Sequence, residues 1–318
     1  MGFFREKSHN RRIHTKVRIP MKSHRSSVAA AVLAFAALCM GAPAHAAPSA
    51  PASAAASAGL LFAVSEGTSG GGSAVTDEQI AAKYKPLTDV MQQALGQPVR
   101  VKYVRDFRAL DEGMKSGAFD LVIARPSDYP ARGVRDYGYR AVTATRPDGH
   151  CLLVVPKDSP YKTIEDVKDI SGKRLILPED VAYMTTFCTA ELRDRGLRVQ
   201  PEQTYYVREQ AVIPFSLNNK LAQIGGIASY SGAAKKLDKD GLRVLHTSRA
   251  QPFLPLIAGR RIAPEQVAAL RAGMVALAET PQGASQLAAI GLKNFDTDPQ
   301  PRLLALLQWL EAKTPAAR

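Results

Sequence analysis

Residues 60–124 read LLFAVSEGTSGGGSAVTDEQIAAKYKPLTDVMQQALGQPVRVKYVRDFRALDEGMKSGAFDLVIA. Leu60–Val64 is a short apolar run bounded by polar and glycine residues, which predicts a strand with both faces covered. Thr76 with Gln79 has the spacing of a capping box, and Gly96 suits a left-handed stop, so a helix is expected from about residue 77 to Leu95. Val99–Val104 alternates like a strand, Phe107–Lys115 has helical spacing, and Asp120–Ala124 is a third strand. The order is βαβαβ, the signature of a largely parallel sheet flanked by helices.

The same pattern returns downstream. Cys151–Val155 (CLLVV), Arg174–Leu177, Tyr205–Val207, Ile224–Ala228 and Arg243–Leu245 read as strands. Met184–Arg195 reads as a helix closed by Gly196. Thr163 caps a short turn of helix, Gln210–Asn218 is helical despite Pro214, and Tyr230–Leu237 is expected to be a helix. Residues 253–258 (FLPLIA) form a last strand, and three helices follow near 264–279, 282–290 and 299–312. Breakers at Pro147-Asp148-Gly149 and at Thr247-Ser248 with Pro252 mark two crossings between the units. The expected fold is α/β in two lobes, each a mostly parallel sheet with helices, joined by a two-strand hinge. Lobe I is assigned to 59–146 and 247–318, and lobe II to 147–246.

The chain is 318 residues with a formal charge of +13, 46% hydrophobic and 22% charged. That balance excludes a disordered chain, a collagen, a coiled coil and a polytopic membrane protein. Residues 1–46 hold eight basic residues and one acid, which leaves +6 for the remainder, so the charge is no argument for nucleic-acid binding. A basic stretch at 22–25, an apolar core at 28–42 and Ala44-His45-Ala46 are the three parts of a secretory signal peptide. The start is Met1 or Met21, since a conventional signal begins at Met21. Residues 47–58 (APSAPASAAASA) are an Ala/Ser/Pro tether. Export to the periplasm is therefore expected.

After cleavage two cysteines remain, Cys151 and Cys188. They form either one disulfide or two buried thiols. Neither belongs to a C-x-x-C pair, and only His150 and His246 survive cleavage, so no metal site and no cofactor are expected. No H-E-x-x-H or G-x-S-x-G motif is present, and Gly67–Ser73 lacks the Lys-Ser/Thr that completes a phosphate loop. The chain is not read as an enzyme.

Several segments, in order, resemble the phosphonate/phosphate/phosphite-type substrate-binding proteins of ABC importers, which have the type II periplasmic binding fold. They are Tyr84-Lys85-Pro86-Leu87, Gly117-Ala118-Phe119-Asp120-Leu121, Asp158-Ser159-Pro160, Thr163-Ile164-Glu165-Asp166-Val167, Gly172-Lys173-Arg174 and Thr280-Pro281-Gln282-Gly283. The resemblance spans about residues 60–298. It implies a small anionic ligand, closure of two lobes around it and an ABC permease of the inner membrane as partner. A monomer that binds no nucleic acid is expected. An exported ligand sensor that signals to a membrane protein is the alternative. The chain departs from the family at two places. The family's Ser-rich turn reads Val181-Ala182-Tyr183-Met184-Thr185-Thr186 here, and its later histidine is absent from Tyr206-Val207-Arg208-Glu209-Gln210.

Ligands of open α/β sheets sit beyond the C-terminal ends of strands. That rule points to Ser65, Glu66 and Thr68, to Arg105, to Arg125, Ser127 and Tyr129, to Tyr183, Thr185 and Thr186, to Arg208, and to Ser229 and Tyr230. The candidate ligand-binding set is Ser65, Thr68, Arg125, Ser127, Tyr129, Tyr183, Thr185, Thr186, Arg208 and Tyr230. Arg125, a guanidinium able to grip two oxygens, and Thr185, at a helix start, lead it.

Overall fold

The computed structural model describes residues 59–67, 75–167, 174–179, 182–197 and 199–312. The expected signal peptide, the tether at 47–58 and Thr68 lie outside the described residues. Among those described, no helix is long and apolar enough to cross a membrane.

The strands are β1 (Leu60–Ser65), β2 (Val99–Tyr103), β3 (Leu121–Ala124), β4 (Arg140–Gly149), β5 (Cys151–Pro156) and β6 (Leu175–Pro178). They continue as β7 (Thr204–Val207), β8 (Ile224–Ala228), β9 (Leu242–Thr247), β10 (Gln251–Ala258) and β11 (Phe295–Asp296). The helices are α1 (Asp77–Leu95), α2 (Phe107–Ser116), α3 (Asp128–Asp136), α4 (Tyr183–Asp194), α5 (Val212–Asn218), α6 (Pro264–Glu279), α7 (Pro281–Ala289) and α8 (Gln300–Glu311). Two sheets result, ordered β11-β4-β10-β3-β1-β2 and β7-β6-β8-β5-β9. The chain passes between them at β4–β5 and again at β9–β10, which makes two lobes and a two-strand hinge.

Local chemistry explains the element bounds. Thr76 and Gln79 form the capping box of α1, and Gly96 closes it in the left-handed region (φ 65°). The Asp106 side chain accepts from the Ala109 N–H at the start of α2. Thr163 and Asp166 cap a 3-10 turn over Ile164–Asp166.

The central strands of both sheets are buried on both faces, which is why they read as unbroken apolar runs, while the edge strands β2 and β7 are partly exposed. Phe62, Val64, Leu121 and Ile123 join the core under α1 and α6, while Ala63, Val122 and Ala124 join a second core on the other face. Leu175 and Leu177 of β6 face one core of the second lobe, and Ile176 faces the other.

Two expectations change. The sheets are mixed and not mostly parallel: β10 runs antiparallel to β3 and β4, and β5 antiparallel to β8 and β9. A strand that returns from the opposite lobe enters the sheet against the direction of the strand that left it. The helix expected at Tyr230–Leu237 shrinks to a 3-10 turn over Ala234–Lys236, ahead of which Ser231 Oγ accepts from the Ala234 N–H. The last helix, α8, serves both lobes. Its Leu303 and Leu307 pack on Ala131 and Ala141, and its Trp309 meets Phe187 edge-on at 5.0 Å.

Cys151 and Cys188 form a disulfide, with Cα atoms 5.4 Å apart and a sequence separation of 37. It pins α4 to β5 inside the second lobe's core. Gly226 of β8 makes room for it: a Cβ there would meet Cys188 Sγ at 2.9 Å and Leu177 Cδ2 at 2.5 Å. Cross-linking a loop of this length stabilises by about 3–4 kcal/mol in the chain-entropy account. Unfolding by denaturant with and without reductant checks this. Reduction is expected to lower the free energy of unfolding by that order, and an unchanged midpoint would contradict the assignment.

Candidate functional site

The C-terminal ends of strands from both lobes converge on one cleft. From the first lobe come Glu66 and Gly67 after β1, Phe107 at the start of α2, and Arg125 and Pro126 after β3. From the second come Pro178 at the end of β6, Ala182 and Met184 at the start of α4, Gln210 before α5, and Tyr230 after β8. The space among them is about 30 Å³. It adjoins a cavity of about 450 Å³ that shares Arg125, Gln210 and Tyr230 and extends past Glu209 and Ser231 to Lys236 and Asp240.

Arg125 is the cation at the centre. Its guanidinium carbon lies 5.1 Å from the centre of the Tyr230 ring and 5.9 Å from that of Phe253. Those two rings are 4.5 Å apart. Nη2 is 3.9 Å from Glu66 Oε2, and the buried Nε has no hydrogen-bond partner among the described residues. A largely desolvated guanidinium braced by aromatic faces has the chemistry to grip the oxygens of a small oxyanion. The first turn of α4 lines the same space. Ala182 at its N-cap offers no side-chain cap, and the Thr185 N–H already bonds the Ala182 carbonyl at 2.9 Å.

Glu66 stands beside Arg125. Its Oε1 accepts from Lys83 Nζ and from Tyr84 Oη at 2.6 Å. Burial pushes its carboxyl up, but those two hydrogen bonds and the charges of Lys83 and Arg125 outweigh that and hold it below the ordinary value of 4.5. Tyr84 is driven the other way, well above 10.0, by burial and then by the Glu66 charge. The Tyr230 phenol is also raised by burial, with Arg125 opposing.

The sequence-derived residues fall into distinct places. Arg125 and Tyr230 line both spaces. Tyr129 stacks on the cleft residue Phe107 at 5.2 Å and so acts behind it. Ser127 Oγ donates to the Pro252 carbonyl at 2.7 Å, and Thr185 Oγ1 to the Pro178 carbonyl at 2.8 Å, so both hydroxyls are spent on backbone. Ser65 is fully buried, its Oγ without a partner among the described residues. Thr186 and Arg208 are exposed and line neither space. Tyr183 opens α4, and its side chain lies outside the described set.

The candidate set leaves out Glu66, Gln210 and Phe253. Glu66 meets the strand-end rule. Gln210 follows β7 by three residues, one loop position beyond the rule's usual reach; its Oε1 accepts from the Ala228 N–H at 2.9 Å. Phe253 lies within a wholly buried strand and gives no signal in sequence.

Two sheets joined by two crossings, with a cleft between the lobes, define a type II periplasmic binding protein. Residues 73–298 match the family described as "ABC transporter, phosphonate, periplasmic substrate-binding protein". The chain belongs to that family, whose members bind substrate for transport and are not enzymes. Membership implies a small-molecule ligand and an ABC permease as partner.

Among solved structures the chain is similar to XAC2383 from Xanthomonas citri bound to ATP, at 15% identity and a TM-score of 0.61 over 79% of this chain and 97% of that one. It is similar to PhnD1 from Prochlorococcus marinus in complex with methylphosphonate, at 11% identity and a TM-score of 0.60 over 78% and 96%. It is also similar to PA3383 from Pseudomonas aeruginosa, a binding-protein component of an ABC phosphonate transporter, at 17% identity and a TM-score of 0.57 over 79% and 85%. At these identities the likeness is one of fold. No curated protein matches the sequence.

The depressed Glu66 carboxyl gives a pH test with a definite sign. Its contribution to stability is fully present above 4.5 and is lost as pH falls through the lower, folded value. Denaturant unfolding of wild type and Glu66→Gln across acid pH is expected to show a deficit in the variant near neutrality that closes progressively as pH drops below 4.5. A deficit independent of pH would contradict the ionised state.

Proposed function

We propose that this protein captures a small phosphonate, or the related oxyanions phosphate and phosphite, between its lobes and delivers it to the permease of an ABC importer. The observation that carries this reading is Arg125, a cleft guanidinium set against Tyr230 and Phe253 with an unspent Nε. Membership of the phosphonate-binding family supports the chemistry, and the methylphosphonate complex of PhnD1 supports the ligand size. The protein works in the periplasm as a monomer, after removal of residues 1–46, with 47–58 as a tether. Lobe I comprises 59–146 and the chain from 247, and lobe II comprises 147–246. The crossings Gly149–Cys151 and Thr247–Gln251 act as the hinge, so that ligand bound to one lobe recruits the other and the closed pair is the form read by the permease. No bond in the ligand is made or broken.

A thermal-shift screen of residues 47–318 against phosphate, phosphite, methylphosphonate, 2-aminoethylphosphonate, sulfate, taurine and ATP tests this. A ligand that binds only the folded state adds about 2.7 kcal/mol at a hundredfold excess over its dissociation constant. That is several degrees for a protein of this size. A shift with a phosphonate, phosphate or phosphite is expected, and Arg125→Ala is expected to abolish it. A shift with ATP or taurine alone would overturn the reading. Thr185→Val, which removes the bond to the Pro178 carbonyl, is expected to cost about 1 kcal/mol of stability and leave affinity within a few-fold of wild type.

A further inference from the structure

The cleft holds an anion where an anion binder would not be expected to have one. Glu66 lies in its wall, next to Arg125, on the path of any oxyanion that Arg125 would grip. Its two oxygens are unlike. Oε1 is doubly engaged by Lys83 and Tyr84 from α1. Oε2 receives no hydrogen bond from the described residues; its near neighbour is Arg125 Nη2, and at 3.9 Å that is a charge contact and not a hydrogen bond. The side chain is only 15% exposed, so water screens it poorly. A ligand held by Arg125 therefore meets a fixed acceptor of like charge a few ångströms away. A carboxylate there repels a fully deprotonated oxyanion and welcomes one that brings its own proton, since an O–H or N–H directed at Oε2 converts repulsion into a charge-assisted hydrogen bond.

We propose that Glu66 is the specificity-determining residue of the cleft: its free Oε2 accepts a hydrogen bond from the ligand, so the site takes oxyanions that carry an O–H or N–H donor and rejects aprotic ones such as sulfate and alkylsulfonates. This rests on the reading of the cleft as an oxyanion site and names the class within it. The groups facing Glu66 are Lys83 and Tyr84 from α1 and Arg125 from the end of β3. Tyr103 of β2 lies behind Tyr84, and Tyr230 of the second lobe lies behind Arg125. The cations among them keep the carboxylate ionised, so the proton in the shared hydrogen bond is the ligand's. Phosphate esters lose their second proton at about pH 6, and the related oxyanions of phosphorus titrate in the same region. Affinity for the phosphorus oxyanions consequently falls as pH rises past that point, while the rejection of sulfate, which has no proton to lose, stays constant.

Isothermal titration of residues 47–318 with methylphosphonate, phosphate, phosphite, sulfate and methylsulfonate, at about pH 6 and about pH 8.5, tests this. Wild type is expected to bind at least one phosphorus oxyanion about tenfold or more tightly at the lower pH, and to bind both sulfur oxyanions about a hundredfold more weakly than that ligand. Glu66→Gln, whose amide donates, is expected to narrow both ratios about tenfold or more. Tyr84→Phe removes a donor to Oε1 alone; it is expected to melt lower than wild type yet keep the rejection of sulfate, which a purely structural Glu66 would not explain. Should Glu66→Gln not fold, the pH ratio of the wild type decides. A phosphonate affinity equal at both pH values, or sulfate rejection undiminished in a folded Glu66→Gln, overturns the role of Glu66 while leaving the oxyanion site standing. Absence of binding to the whole panel overturns the oxyanion site and this inference with it.

Discussion

The guanidinium of Arg125 is the point on which the two lobes converge, and its environment explains much of the architecture around it. A cation taken this far out of water has to be compensated. Here the compensation comes from three directions: the Glu66 carboxylate of its own lobe, the Phe253 face from the returning hinge strand, and the Tyr230 face from the opposite lobe. None of the three gives it a full set of hydrogen bonds. Among the described residues its Nε is left without a partner, the condition that the proposed anion binding needs.

The rest of the molecule keeps that point rigid while leaving the lobes a line about which to turn. The central strands of both sheets are packed on both faces, so each lobe has a dense core. Between them run two crossings, and the segments that flank them carry dense charge. Arg146 and Arg302 each contact both Asp148 and Asp296, closing a ring that ties the end of β4 to β11 and α8. On the other side Glu191 pairs with His246 at 2.9 Å, while Asp194 takes Arg249 Nη2 and Trp309 Nε1, each at 2.6 Å. Helix α8 spans both groups. Its apolar face enters the cores of both lobes, so any hinge motion has to slide or bend it.

The fold was largely legible because its signals are local. Runs such as LLFAV, LVIA and CLLVV announce strands covered on both faces, and Thr76 with Gln79, then Gly96, bracket α1 in the sequence itself. Strand direction was less legible. Whether β10 runs with or against β3 depends on which lobe the chain comes from, a long-range fact. The helix expected at Tyr230–Leu237 survives only as a 3-10 turn over Ala234–Lys236.

The site was legible by position more than by role. The strand-end rule reached Arg125, Tyr230 and Glu66. It could not tell that the hydroxyls of Ser127 and Thr185 are turned to the carbonyls of Pro252 and Pro178, since their acceptors are set by tertiary packing. Phe253 was hidden for the same reason: a buried strand residue shows nothing in sequence of the cation it will face. The central claim is that Arg125 and Glu66 grip the ligand together, one by charge and one by accepting its proton. A crystal structure with methylphosphonate grown near pH 6 tests that most directly. The account predicts one phosphonate oxygen about 2.9 Å from an Arg125 nitrogen and a second about 2.6 Å from Glu66 Oε2. A phosphonate seated elsewhere, or one turned away from Glu66 with Arg125 as its sole charged contact, would contradict it.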